Sequence, residues 1–245
     1  MFRSRRQEKY GINSIEEAPP LSSKQNRERI PPGQRLAKRW PVLSAEKTAK
    51  FNGRDWDIIV DGLVENPITW TWEEFKKLPK IDQVSDLHCV TTWSKLDMEF
   101  SGIAFSTILD IVKPTSEARY VTFEAESGYT TALPLTEGYL LENDVMLAYE
   151  FEGKPLPPDH GGPLRSLVPQ LYLWKSVKWL KRMSFESNWK RGFWEERGYH
   201  QIGDPWLEQR YSSQERPIRR EHKICLLYTS PSPRDVEESR MPSSA

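Results

Sequence analysis

Two stretches of this sequence hold residue types that could do chemistry. The first is Leu87-His88-Cys89-Val90-Thr91-Thr92-Trp93, in which Cys89 is one of only two cysteines. A cysteine thiolate is a nucleophile or a soft metal ligand, whereas a protonated cysteine is a small buried hydrophobe. The residues alone leave all three readings open. The second stretch runs Pro155-Leu-Pro-Pro-Asp159-His160-Gly161-Gly162-Pro163-Leu164-Arg165, followed by Val168-Pro169 and Lys175-Ser176-Val177-Lys178. Paired glycines let a backbone approach a ligand closely, Arg offers phosphate a planar fork, and Lys offers a point charge. Arg165 with Lys175 or Lys178 therefore suits a phosphate-bearing cofactor. A solvated turn followed by an outward-facing edge strand fits the same spacing.

Local pattern predicts the elements that must position these groups. Trp56, Ile58 and Val60 alternate with other residues and end at Asp61-Gly62, as a strand does before a turn. Thr71 and Glu74 stand at capping-box spacing and open a short helix that Pro79 stops. A second helix is expected over Ser106–Val112. Short β-rich runs follow at Tyr120–Glu124, Tyr129–Leu133, Val145–Phe151, Leu164–Val168 and Val177–Phe185, separated by Gly and Pro. Strands and helices do not alternate regularly, so a doubly wound sheet is excluded. The expected fold class is α+β, strand-rich with mixed sheets, and the Leu87–Trp93 stretch is read as lying just after a linker.

The 245 residues suffice for one large domain, placed at residues 41–211. Lys plus Arg and Asp plus Glu number 35 each, but residues 1–40 hold ten of the former against four of the latter. A basic, mostly irregular arm thus precedes a slightly acidic body. The arm carries Arg5-Arg6 without an apolar stretch behind it, so export is not expected and a cytoplasmic location is. Absence of a long apolar run argues against a membrane span. A nucleic-acid-binding module is weakened by the acidic body. Residues 212–245 form a polar tail, of which Ile224–Ala245 breaks the composition. Its Cys225–Asp235 portion resembles translated sequencing-adapter read-through, so Cys225 takes no functional role. His200 and His222 are read as solvated.

His88-Cys89-Val90 with Trp93, Asp144–Tyr149, Leu156-Pro-Pro-Asp-His160-Gly-Gly-Pro-Leu-Arg165 with Val168-Pro169, and Lys178-Trp-Leu together resemble, in order and spacing, the molybdopterin-binding domain of sulfite-oxidase-type oxidoreductases. The resemblance implies a fold, a cofactor of molybdenum and molybdopterin, and roles for individual residues. Cys89 matches the cysteine that ligates molybdenum. His160, Arg165 and Lys178 match cofactor-binding positions, and Ser176 and Val177 lie where backbone amides face the pterin phosphate. Tyr199, in Phe193-Trp-Glu-Glu-Arg-Gly-Tyr199, matches an active-site tyrosine, and Arg39 matches an arginine of the sulfite pocket.

The implied activity is two-electron oxygen-atom transfer to or from a small sulfur- or nitrogen-centred substrate, an oxo donor or acceptor such as a sulfite or a sulfoxide, with an external electron-transfer partner. The chain departs from the pattern after Cys89. Arginines that help to bind sulfite are replaced by Val90-Thr91-Thr92-Trp93-Ser94, which resembles instead the branch that includes methionine sulfoxide reductases. A cysteine-nucleophile hydrolase using His88 or His160 is the competing enzyme reading.

Overall fold

The computed structural model describes residues 29–51, 55–135, 139–140 and 144–215. Arg5-Arg6, most of the basic arm, His222, and the tail with Cys225 lie outside the described residues. Two sheets carry the fold. The first runs β1 (Arg35–Leu36), β5 (Trp93–Ala104), β8 (Met146–Phe151) and β10 (Arg165–Leu167), with β4 (Lys80–Cys89) also paired to β5 and β9 (Lys154–Pro155) to β8. The second has the order β3 (Ile68–Thr71), β2 (Asp57–Gly62), β11 (Leu180–Glu186), β6 (Tyr120–Ala125) and β7 (Thr130–Pro134). Of the helices, α1 (Trp72–Phe75) has the expected capping box at Thr71 and Glu74, and α2 is Phe105–Val112.

Alternation places the side chains as the pattern requires. Ile58 and Val60 on β2, and Val121 and Phe123 on β6, are fully buried, and they join α2 through Phe105 and Ile108 in the main core. A second core lies on the first sheet, where Leu87, Met98, Phe100, Met146, Ala148 and Leu167 pack together. A third, smaller cluster holds Ala37, Cys89 and Trp93.

Three expectations are corrected. The supposed linker before Cys89 is β4, half of the longest hairpin, antiparallel to β5 with Lys80 opposite Ile103 and Cys89 opposite Trp93. Its first half is polar because those residues alternate between exposed and half-buried, and β4 pairs with β5 alone. The boundary at Pro41 also moves: Arg35 and Leu36 pair in parallel with Trp93 and Ser94, Ala37 is buried, and Arg29 bridges Asp86 and Asp97. The described chain continues past Tyr211 in one compact unit to Glu215. Lastly, His200 is buried, and its Nδ1 accepts from the amides of Ile202 and Gly203.

Close approach of β5 to β8 needs a glycine. A Cβ at Gly102 would lie 2.1 Å from Leu147 O and 2.8 Å from Ala148 Cα, both backbone atoms. Gly102→Ala is expected to lower stability by about 1–3 kcal/mol, the usual cost of overpacking, visible as a lower thermal midpoint; an unchanged midpoint would refute that close contact.

Candidate functional site

Cys89 ends β4, and the three residues Val90, Thr91 and Thr92 return the chain to Trp93. The turn closes with Thr92 N donating to Cys89 O at 3.0 Å, and Thr92 takes φ 75°. A β-branched residue in that region is strained, so the loop conformation is held by its surroundings. Gln34 Nε2 donates to Cys89 O at 3.1 Å, and Arg35 N donates to Thr92 O. Thr91 Oγ1 donates to Cys89 Sγ at 3.1 Å. Burial nevertheless raises the Cys89 thiol above its ordinary pKa. Such a thiol is a poor free nucleophile at neutral pH.

His88 does not repair that deficit. It is buried beside Ser94, with Nδ1 and Ser94 Oγ 2.8 Å apart, and burial lowers its pKa to about 4. Neighbours along a strand point to opposite faces, so His88 turns away from the Cys89 side chain.

The loop after β9 builds the second half of the site. Arg165, only 2% exposed, donates to three carbonyls: His160 O at 2.9 Å, Ser176 O at 3.2 Å and Ser166 O at 3.3 Å. No carboxylate bridges it among the described residues, and burial lowers its pKa to about 10. Lys178 Nζ also donates to carbonyls, Leu43 O at 2.8 Å and Asp159 O at 2.6 Å. Its pKa falls to about 7, through burial first and Arg165 second. His160 stacks on Trp40 with ring centroids 3.7 Å apart, and Arg165 lies 5.6 Å from that Trp40 ring. Burial and the two neighbouring cations hold His160 at about 4. Two cations and a histidine therefore converge with carbonyl dipoles as their hydrogen-bond partners, an arrangement suited to an anion.

Several sequence-level readings change here. Gly161 and Gly162 serve the packing of the loop itself: a Cβ on Gly161 would meet Lys178 at 3.0 Å, and one on Gly162 would meet Leu156 O at 2.1 Å. Ser176 N donates to Leu173 O, and Val177 N donates to Ser166 Oγ at 2.7 Å. Both amides expected to face a phosphate are thus engaged within the protein, and they fix the segment instead. Lys175 is also removed from the anion site. It is fully buried against Glu195, with Thr131 Oγ1 and Ala132 O accepting at 3.1 Å. Trp40 packs against the Cys89 cluster and stacks on His160, so thiol and cation cluster adjoin, and each of Cys89 and Lys178 favours the charged form of the other.

Arg39 is exposed, while Ala37 and Trp40 of the same segment pack around Cys89. Tyr199 sets its ring against Trp174, Trp194 and Tyr211. The groups gathered at the Cys89 turn are Gln34, which donates to Cys89 O, Arg210, which donates to Val90 O, and Tyr172, whose ring lies under the Arg210 guanidinium. Sequence reading missed these three, since each sits in a different segment and none has a distinctive spacing to Cys89.

Residues 45–194 match the family model described as "Oxidoreductase molybdopterin binding domain". The chain is 41% identical over 185 residues to the oxidoreductase YuiH of Bacillus subtilis, covering 75% of this chain and 92% of that protein. It is 29% identical over 160 residues to the protein-methionine-sulfoxide reductase catalytic subunit MsrP of Campylobacter jejuni, where the match spans 59% of this chain and 54% of the relative. Among solved structures, the sulfane dehydrogenase SoxCD of Paracoccus pantotrophus superposes with a TM-score of 0.54 over 72% of this chain and 57% of that one, at 18% identity. That likeness establishes the α+β fold.

An anion bound between Arg165 and Lys178 would favour protonated Lys178. Sulfate is therefore expected to raise the thermal midpoint of cofactor-free protein more at pH 6 than at pH 8.5, since Lys178 loses its charge around pH 7. Lys178→Met should flatten that difference. Equal sulfate effects at the two pH values in the unsubstituted protein would refute the assignment.

Proposed function

The chain belongs to the oxidoreductase molybdopterin-binding domain family, of sulfite-oxidase type, and on that premise we propose that it transfers an oxygen atom to or from a small sulfur- or nitrogen-centred substrate at Cys89. The family's cofactor is molybdopterin with molybdenum. The residues present fit it. A soft sulfur suits molybdenum, and the Arg165–Lys178 cluster suits the anionic end of the pterin. Beside Cys89, Trp93 Nε1, Gln34 Oε1 and Tyr172 Oη are buried without hydrogen-bond partners in the protein. When bound, the molybdenum centre supplies a two-electron couple that gives or takes one oxygen atom.

The chain's own groups hold and shield that chemistry. Cys89 would ligate the metal as a thiolate; Thr91 Oγ1, by donating to Sγ, favours that form against the effect of burial. Arg165 and Lys178 would bind the phosphate, and His160, neutral at physiological pH and stacked on Trp40, would help to hold the cofactor. Reduction of an oxo substrate consumes two electrons and two protons and releases water; the reverse reaction returns them. An electron carrier outside this domain must therefore complete the cycle.

A single observation carries the reading: Trp40 packs against the buried Cys89 cluster on one side and lies against His160 and the buried, carboxylate-free Arg165 on the other, so a soft thiol and a cation cluster adjoin. The cysteine-hydrolase alternative lacks a base, because His88 is tied to Ser94 and His160 is stacked on Trp40 with its pKa lowered to about 4. The name of one relative, a protein-methionine-sulfoxide reductase catalytic subunit, favours a sulfoxide as oxo donor.

Protein purified from a molybdenum-competent host should contain about one molybdenum per chain and yield a fluorescent pterin derivative on acid oxidation. Cys89→Ser should keep the pterin and lose turnover. Metal-free, pterin-free protein from that host, or stoichiometric alkylation of Cys89 in active enzyme, would sink the reading.

A further inference from the structure

Val90 to Ser94, immediately after Cys89, supply no cation, yet the fold delivers one from a separate segment. Arg210 Nη1 donates to Val90 O at 2.5 Å across 120 residues. Its guanidinium carbon lies 5.1 Å from the centroid of the Tyr172 ring, which fixes its plane against an aromatic face. Its nearest carboxylate, Glu208 Oε1, stands 3.8 Å from Nη2, beyond hydrogen-bond reach, and Glu208 is half exposed. The Arg210 side chain itself is only 14% exposed. The Tyr172 hydroxyl lies deeper, in a fully buried residue, and has no hydrogen-bond partner. Trp93 Nε1 is likewise buried and unbonded in the wall opposite Cys89 on the hairpin, and Ala37 and Leu173 make that wall apolar.

A guanidinium with spare donors and a buried hydroxyl beside it offer hydrogen-bond donors to a ligand, with Gln34 Oε1 as the neighbouring acceptor. Such a set suits an acceptor oxygen, and its exclusion from water strengthens each bond to developing negative charge. We propose that Arg210 and Tyr172 are substrate-binding residues that hold a negatively polarised oxygen, bonded to sulfur or nitrogen, next to Cys89. The assignment rests on the reading of Cys89 as the redox centre. It restores to the site the positive charge that the sequence after Cys89 withholds, and it gives the role to residues outside that loop.

The test uses holoprotein with measured molybdenum content. Sulfite oxidation with ferricyanide as acceptor, and reduction of dimethyl sulfoxide and of methionine sulfoxide by a reduced viologen, are each followed at varied substrate concentration. Arg210→Met at unchanged molybdenum content should raise KM at least about tenfold while kcat stays within about threefold, the pattern of lost uniform binding. Tyr172→Phe should raise it by a smaller factor. Glu208→Gln, at an exposed position that partly offsets Arg210, should lower KM. A shift confined to sulfite identifies a charged oxyanion as the ligand, and a shift shared by the sulfoxides identifies a polarised neutral oxygen; both support the assignment. Loaded Arg210→Met with KM within about twofold of the parent for every substrate overturns it alone. If Arg210→Met fails to fold or load, an unmoved KM in Glu208→Gln overturns it. Parent protein without molybdenum overturns both the assignment and the reading of Cys89 beneath it.

Discussion

Burying a guanidinium without a carboxylate is the constraint around which this structure is organised. An unpaired interior charge is costly, and carbonyl dipoles relieve only part of that cost. Arg165 nonetheless sits at 2% exposure with three carbonyls around it. Everything near it serves to hold those carbonyls in place. Ser166 and Ser176 lace β10 to the following segment by bonding the amides of Val177 and Val168. Gly161 and Gly162 let the loop close on Lys178 and Leu156. Trp40 covers the histidine beside it. Fixed dipoles and fixed cations, organised before a ligand arrives, bind an anion without paying to reorganise.

The thiol half of the site depends on different forces. Cys89 is placed by a hairpin whose far end is solvent-exposed and whose near end is buried, so its position follows from the pairing of β4 with β5 and from β1 lying alongside. The buried Lys175–Glu195 pair ties the Ser176–Lys178 segment to β7 and to the turn before Tyr199. Lys175 precedes the Ser176–Lys178 segment, Glu195 opens the turn leading to Tyr199, and Thr131 of β7 donates to the same carboxylate. Removing either charged partner would leave the other buried and alone, the costliest way to lose an ion pair.

Much of this was legible in the sequence. Alternation found β2, β6, β7, β8, β10 and β11, and capping chemistry found α1, because each follows from local periodicity. β4 escaped, since an edge strand with an exposed first half lacks a regular apolar face, and β1 escaped because two residues carry no period. Arg165, His160 and Lys178 converge as their loop motif implies. Lys175 looked equivalent to Lys178, and only the fold separates them by giving one a buried carboxylate and the other carbonyls. Tyr172, Gln34 and Arg210 were invisible because their meeting at Cys89 is a property of tertiary packing; among them, only the polar atoms left without partners mark a role.

The central claim is that one thiol and one cation cluster hold the two ends of a single cofactor. Anomalous-difference density collected across the molybdenum absorption edge on crystals of the holoprotein tests it most directly. The account predicts one metal peak at bonding distance from Cys89 Sγ, with phosphate density between Arg165 and Lys178. A metal peak away from Cys89, or a phosphate remote from those two cations, would contradict it.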